Sequence, residues 1–215
     1  GSGVTTGLAA SVHARLLNRA RERGEDINLI LTRYAIERFL YRLSLAPARE
    51  TYWLKEALLF DLWFDVPHRP TRDADFLGFG PADVEALAST IREICGVAVD
   101  DGMEYDPASI TIVEIREDAR YGGLRVRLLG RLGNARCTVQ LDVGYGDAVA
   151  PGPEEAVYPT LLDDQPPPRL RVYPRATVVA EKLEAMVSLG MANSRMKDYF
   201  DLRALAREGV LDARL

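Results

Sequence analysis

The amino-acid sequence predicts an α+β fold in which helices flank a mixed or mostly antiparallel β-sheet. In the first 60 residues and again after residue 170, apolar residues recur every three or four positions, the period of a helix with one buried face. Between these segments the apolar period drops to two, as it does along a half-buried strand. With 215 residues, 47% of them hydrophobic, the chain can bury a substantial core.

Turn and capping residues mark where the predicted elements begin and end. Gly24 ends the first helix, Asp26 opens the second and Pro47 closes it. Pro174 lies at the start of the fifth helix, and Ser194 is a suitable N-cap for the last. The predicted helices span residues 8–23, 25–46, 54–64, 81–95, 174–189 and 195–208, and the predicted strands span 71–77, 109–115, 124–128 and 137–143.

A segment rich in proline and acidic residues divides the sequence. Residues 151–170 include three consecutive prolines and are predicted to form a surface connection. Residues 4–150 are predicted to form the core domain together with its N-terminal helices. Residues 171–215 are predicted to form the start of a longer helical lobe that is cut short at Leu215.

Charge and composition exclude several classes of function. The formal net charge is −5, so the chain as a whole is not built to clamp nucleic acid, and any RNA contact requires a local basic patch. Two cysteines without a CxxC spacing and only two histidines exclude a zinc knuckle. No apolar run approaches the roughly 18 residues of a membrane span. These features predict a cytoplasmic protein without membrane contact.

Two aspartates in the predicted strand 71–77 are the first candidates for chemistry. Asp73 and Asp75 lie two residues apart, so their carboxylates project from the same face of the strand. A divalent cation stabilises two such charges, and Mg²⁺ prefers oxygen ligands of this kind. Asp142, on the polar face of another strand, is a third carboxylate, and the set suits nucleotidyl transfer. The alternative interpretation of an isolated Asp-x-Asp is a solvated turn.

Basic residues near these aspartates are candidates for phosphate contacts. Arg69 and Arg72 offer forked guanidinium donors and Thr71 offers a hydroxyl, although each is singly just as well an ordinary surface residue. Further along, Arg125 and Arg127 share a strand face, which would suit RNA phosphates or would simply be an exposed polar face. The full arginine series of this region is Arg120, Arg125, Arg127, Arg131 and Arg136.

Several short segments, in order along the chain, resemble the motifs of one known family. They are LKEALLF and RPTRDAD (residues 54–60 and 69–75), QLDVGYGD (140–147), VAEKLEA (179–185) and RMKDYFDL (195–202). Together they resemble the AbiEii/AbiGii toxin family of nucleotidyltransferases over about residues 50–208. Agreement of all of them in one order is far more specific than any single match.

The resemblance implies a DNA-polymerase-β-like nucleotidyltransferase core that acts as the toxin of a toxin–antitoxin or phage-defence module. It implies Mg²⁺, with Mn²⁺ as the alternative, held by Asp73, Asp75 and Asp142. Lys182 would contact the nucleotide's phosphates and Asp198 would complete the site. The implied partners are an NTP, an RNA acceptor (first of all the tRNA 3′ end) and a cognate antitoxin. The implied phosphate-binding residues are Lys55, Arg69, Thr71, Arg72, Lys182 and Arg195.

Two of these residues have a competing structural interpretation. Lys182 lies beside the apolar stripe of its helix, where a lysine is usually solvated or paired with Glu181 or Glu184. Asp198 falls in the first turn of the last helix, where the helix dipole alone favours an acid. Asp201, one turn further on, is interpreted as structural.

One position departs from the family pattern. The family has glycine where this chain has Glu56, directly after Lys55. Glycine lets the start of a helix approach a triphosphate closely, whereas Glu56 adds bulk and negative charge. Repulsion over a few ångströms would cost on the order of a few kcal/mol. Glu56 therefore leaves open whether this particular chain is active.

Three functions stay open at this point. The first is a nucleotidyltransferase toxin that modifies RNA, with tRNA as the preferred acceptor and blocked translation as the result. The second is transfer to a protein or small-molecule hydroxyl. The third is a catalytically silent module that binds an antitoxin and is disabled by Glu56 or by its short C-terminus.

Overall fold

The computed structural model describes residues 2–55, 58–63, 72–118, 121–146, 152–189 and 196–207. Within these ranges the chain forms helices and one mixed sheet, so the predicted α+β class is confirmed. It divides into two compact units, Gly1–Val172 and Tyr173–Leu215.

The helices are α1 (Ser2–Arg23), α2 (Ile27–Leu45), α3 (Leu58–Trp63), α4 (Val84–Cys95), α5 (Arg175–Leu189) and α6 (Met196–Arg207), with a short 3-10 helix at Pro47–Glu50. The strands are β1 (Tyr52–Lys55), β2 (Asp73–Phe79), β3 (Met103–Asp118), β4 (Tyr121–Leu132), β5 (Ala135–Gly146), β6 (Glu154–Val157) and β7 (Arg169–Val172).

The sheet of the first unit has the strand order β3-β4-β5-β2-β1-β7-β6. β2 pairs in parallel with β5 and β1 with β7, whereas the other neighbouring pairs are antiparallel. A two-residue turn, Gly133-Asn134, joins β4 to β5, and Gly133 has a φ of 58°. Tight hairpin turns require such positive φ angles, so this turn fixes the register of the two longest central strands.

The two faces of the sheet differ sharply in polarity. Helices α1, α2 and α4 pack on one face, where the inward residues of β4 and β5 are buried and apolar. On the opposite face, Arg127, Arg131, Arg136 and Thr138 are exposed. The buried set is Leu124, Val126, Leu128, Val139, Leu141 and Val143. The alternation along each strand therefore leaves one sheet face open to solvent.

Buried charges on α2 attach the proline-rich segment to the core. Glu37 Oε2 accepts a 2.6 Å hydrogen bond from the Leu161 backbone N–H, and Glu37 Oε1 lies 2.7 Å from the Arg38 guanidinium. Arg38 also donates to the Pro166 carbonyl at 3.1 Å. Further along α2, Arg42 forms a buried ion pair with Asp101 at 2.7 Å. Burial raises the pKa of Glu37 from 4.5 to about 7.

Apart from shifted ends of other elements, such as the longer β4 and β5, the structure differs from the sequence-based element list in three places. Residues 52–55 form a strand rather than the start of a helix, because β2 and β7 pair with them from both sides. β3 extends well beyond 109–115, and Pro107 is tolerated there because it lies at a register shift of an outer strand. The segment 151–170 contains β6 and the first residues of β7, so part of it belongs to the sheet.

No helix in the described part of the chain has the length and hydropathy that a membrane span requires.

Candidate functional site

The aspartate pair lies at the start of β2. Asp73 and Asp75 are half-buried and alternate with the buried Ala74 and Phe76. Both carboxylates are therefore on the open face of the sheet, as the alternation in the sequence predicts. Phe76 and Ala74 anchor the strand to the core beneath, which fixes the direction in which the carboxylates point.

A row of charged residues crosses four strands at the level of Asp75. Lys55 of β1 is directly opposite Asp75, Asp75 is opposite Asp142 of β5, and Asp142 is opposite Arg125 of β4. Residues opposite one another on neighbouring strands, about 4.8 Å apart, project to the same side of a sheet. Lys55, Asp75, Asp142 and Arg125 consequently share the open face, with the two carboxylates between the two cations.

A second row lies next to the first, at the level of Asp73. Asp73 is opposite Gln140 of β5, and Gln140 is opposite Arg127 of β4. Arg127 Nε donates a 3.0 Å hydrogen bond to the Gln140 side-chain oxygen. The aspartate pair and the arginines of β4 therefore belong to one continuous surface.

Asp142 is held by a forked ion pair. Arg125 donates from Nε and Nη2 to the two carboxylate oxygens of Asp142, at 2.8 and 2.6 Å. The Asp142 side chain is 5% exposed and that of Arg125 is 31% exposed. Sequence reasoning grouped Arg125 with possible RNA contacts and missed this pairing. Counting outwards equally from the Gly133-Asn134 turn would have matched the two residues.

The carboxylates fit a divalent cation only in part. Asp73 and Asp75 present hard oxygen donors on one face, which suits Mg²⁺ or Mn²⁺. Both oxygens of Asp142 already accept hydrogen bonds from Arg125. Among the residues that the structure describes, no group of three or more His, Cys, Asp or Glu side chains is arranged to hold a metal. The metal-binding roles of Asp73, Asp75 and Asp142 therefore all stay predictions.

Of the residues of the first unit that are expected to contact phosphate, the structure describes Lys55 and Arg72. Lys55 is half-buried at the end of β1, opposite Asp75, and Arg72 is exposed directly before β2. Arg69, Thr71 and Glu56 lie outside the described residues. The structure therefore brings Lys55 and Arg72 to the aspartate pair, while the other three positions stay predictions.

In the second unit, Lys182 of α5 pairs with Asp201 of α6. The ammonium Nζ of Lys182 lies 2.9 Å from Asp201 Oδ2, and both side chains are buried. The sequence favoured a solvated lysine or one paired with a glutamate of its own helix. Instead the expected apolar stripe of α5 is partly exposed, with Val187 83% exposed. Arg195 and the side chain of Asp198 lie outside the described residues.

Tyr145 is part of the packing beneath the site. It is directly opposite Gly78 on β2, and burial raises its pKa well above the ordinary value. A Cβ at Gly78 would lie 2.9 Å from the Tyr145 ring and 3.1 Å from the Tyr52 ring. Gly78 therefore makes room for both rings. Tyr199, which also lies next to a motif, is 41% exposed.

Comparison of the sequence with known protein families identifies a family of nucleotidyltransferases. The model of one family, described as the nucleotidyl transferase AbiEii toxin of type IV toxin–antitoxin systems, matches residues 38–215. The chain belongs to the AbiEii family. It is thus a member of a nucleotidyltransferase toxin family. The resemblance inferred from the motifs is confirmed.

Solved structures show the same fold. JHP933 from Helicobacter pylori is similar, with a TM-score of 0.50 and 17% identity, over 83% of this chain and 66% of that protein. An H. pylori protein assigned to the nucleotidyltransferases has a TM-score of 0.50 and 19% identity, over 83% of this chain and 68% of its own. This AbiEii chain thus spans about two thirds of each. No curated protein matches it.

Proposed function

We propose that this AbiEii protein transfers a nucleotidyl group from an NTP to an RNA acceptor, with the tRNA 3′ end as the preferred acceptor. One observation carries the proposal: the Asp73–Asp75 pair shares an open sheet face with the exposed arginines of β4 and β5. A carboxylate pair of this kind suits nucleotidyl transfer, and arginines suit the phosphates of a nucleic acid. The choice of tRNA rests on the family resemblance.

In the proposed reaction, the 3′ hydroxyl oxygen of the RNA attacks the α-phosphorus of the NTP. One P–O bond forms, the bond from the α-phosphorus to the bridging oxygen breaks, and pyrophosphate leaves. A divalent cation held by Asp73 and Asp75 would neutralise charge on the triphosphate. Lys55 and Arg72, placed next to the pair, offer cationic donors for phosphate oxygens. A carboxylate of the pair would accept the proton that the attacking hydroxyl loses.

The charge of the open face favours RNA over a small-molecule acceptor. A site for a cationic small molecule would present an acidic recess beside the catalytic pair. Instead, exposed Arg127, Arg131 and Arg136 extend from it, and the one acid directly opposite them is Glu104, across from Arg131. This distribution supports a polyanionic acceptor.

The test is transfer of each of the four radiolabelled NTPs into total tRNA in the presence of Mg²⁺. We expect label in tRNA, reduced by roughly two orders of magnitude or more in Asp73→Ala and in Asp75→Asn, because loss of a charge-stabilising group at a reacting centre has effects of this size. Asp163→Asn, at an exposed carboxylate outside the sheet, is the matched control and should keep full activity.

The Glu56→Gly variant separates the remaining alternatives. Activity in this variant alone would identify Glu56 as the residue that blocks the reaction. Transfer to protein or to a small molecule, with no label in RNA, would overturn the proposed acceptor but not the transferase. Silence of both forms towards every acceptor, together with binding to an antitoxin, would support the catalytically silent module instead.

A further inference from the structure

A polar pocket opens beside the aspartate pair, between the first half of α2 and the start of β5. Its volume is about 290 Å³. The pairing of β2 with β5 begins at Asp73 and Gln140, so within the described residues the part of β5 before Gln140 has no neighbouring strand on that side. The pocket occupies this open edge. Its polar lining consists of Asn28, Thr32, Arg72, Arg136, Thr138 and Gln140.

The polar side chains that line the pocket favour the binding of an anion. Arg72 and Arg136 contribute two guanidinium groups, and among the described residues that line the pocket there is no carboxylate. In the part of the chain that the structure describes, neither arginine forms an ion pair. The hydroxyls of Thr32 and Thr138 add neutral donors. Forked guanidiniums with nearby hydroxyls are the donor set that proteins use for phosphate.

The position of the pocket relates it to the reaction centre. Arg72 directly precedes Asp73, and Gln140 is directly opposite Asp73 on the adjacent strand. With strands about 4.8 Å apart, a phosphate in the pocket would lie within roughly 10 Å of the Asp73 carboxylate. On the same sheet face, Arg131 is directly opposite Arg136, and Arg127 is opposite Gln140. The arginines therefore lead from the pocket across the open face.

We propose that this pocket binds a backbone phosphate of the RNA acceptor close to its reacting 3′ end, through Arg72 and Arg136. The inference rests on the proposed function in one respect, that the acceptor is RNA. The same phosphate chemistry has a second source, the triphosphate of the NTP. The position of Arg136, one strand away from β2 and continuous with Arg131, favours the acceptor.

The experiment measures binding rather than transfer, with the full chain and two probes. Fluorescence anisotropy with labelled tRNA reports the acceptor, and calorimetry with ATP and GTP reports the nucleotide. We expect Arg136→Ala to weaken tRNA binding roughly 3- to 10-fold, to lower the slope of log K against log salt by about 0.7 to 0.9, and to leave nucleotide binding unchanged. Arg136→Lys keeps the positive charge but loses the forked guanidinium. Its affinity for tRNA should therefore lie between those of the wild-type chain and Arg136→Ala. Arg92→Ala, an exposed arginine of α4, is the matched control and should change neither.

The outcomes separate the pocket from the catalytic proposal. Equal loss of tRNA and nucleotide binding in Arg136→Ala would assign the pocket to the triphosphate and overturn the acceptor site. Unchanged tRNA binding would overturn it as well, even if the wild-type chain transfers nucleotides. Loss of tRNA binding in a chain that transfers nothing would support the pocket while the proposed reaction fails.

Discussion

At the scale of single residues, the Arg125–Asp142 pair is the most consequential contact of the open face. It occupies both oxygens of the third carboxylate, next to Asp75. A carboxylate that is 5% exposed depends on such a partner, because a buried charge without one is costly. The pair therefore neutralises the charge of Asp142 and holds its carboxylate in place beside Asp75.

Replacing Arg125 with alanine should destabilise the fold. The buried Asp142 would lose both hydrogen bonds, at a cost of about 1–2 kcal/mol in the free energy of unfolding, since the partly exposed arginine limits the effect. Urea unfolding measures it. Arg127→Ala, on the same strand face, should change stability by less than about 0.5 kcal/mol. In an Asp142→Asn background, Arg125→Ala should lower the free energy of unfolding by less than it does in the wild type. An equally large decrease in that background would contradict a stabilising Arg125–Asp142 ion pair.

At the scale of elements, α2 connects three parts of the first unit. Its residues pack on β5, its Arg42 pairs with Asp101 ahead of β3, and its Glu37 and Arg38 hold the proline-rich segment. The segment 151–170 is also attached through β6 and β7, through the Arg15–Asp164 ion pair, and through the hydrogen bond from the Tyr158 hydroxyl to Asp61. The buried Glu37 is thus a structural group whose titration affects stability.

Stability should depend on pH through Glu37. Its pKa is about 7 in the folded chain and 4.5 ordinarily, so between these values the folded state binds more protons than the unfolded state. The free energy of unfolding should therefore fall as pH rises from about 4.5 to 7, by an amount on the order of 3 kcal/mol. In Glu37→Gln, which still accepts from the Leu161 N–H, this contribution should vanish.

Chemical denaturation at several pH values between 4.5 and 7.5 checks this expectation. Glu93→Gln, at an exposed position of α4, is the control and should follow the wild-type profile. A wild-type chain whose profile matches that of Glu37→Gln throughout the window would show that Glu37 titrates normally.

At the scale of the whole molecule, the distribution of charge matters more than its sum. The net charge of −5 repels a polyanion at long range, whereas the open sheet face presents exposed arginines. The proposed RNA binding would therefore rest on a small number of local contacts. Within the second unit, the buried Lys182–Asp201 pair joins its two helices.

The salt dependence of RNA binding should reflect the small number of arginine–phosphate contacts. Four exposed arginines, Arg72, Arg127, Arg131 and Arg136, can each neutralise one phosphate, which gives a slope of log K against log salt of about −3. Filter binding of tRNA between 50 and 200 mM KCl measures the slope. A slope near zero would exclude the arginine face as the binding surface. A slope much steeper than −4 would require further basic residues.

The sequence by itself determined the fold class, the family and the position of the aspartate pair. These depend on local patterns: a period of two places Asp73 and Asp75 on one face, and the ordered motifs identify AbiEii whatever the packing. The β4–β5 register was also within reach, because the Gly133-Asn134 turn defines it.

Only the tertiary structure decided how strands distant in sequence lie side by side. Asp75 and Asp142 are 67 residues apart and become neighbours because β2 inserts between β1 and β5. The same insertion makes a strand of residues 52–55 and leaves open the edge of β5 that forms the arginine-lined pocket. The pairing of Lys182 with Asp201 likewise depends on how α5 and α6 pack. Non-local pairing is set by packing and burial over the whole sheet, which local periodicity does not encode.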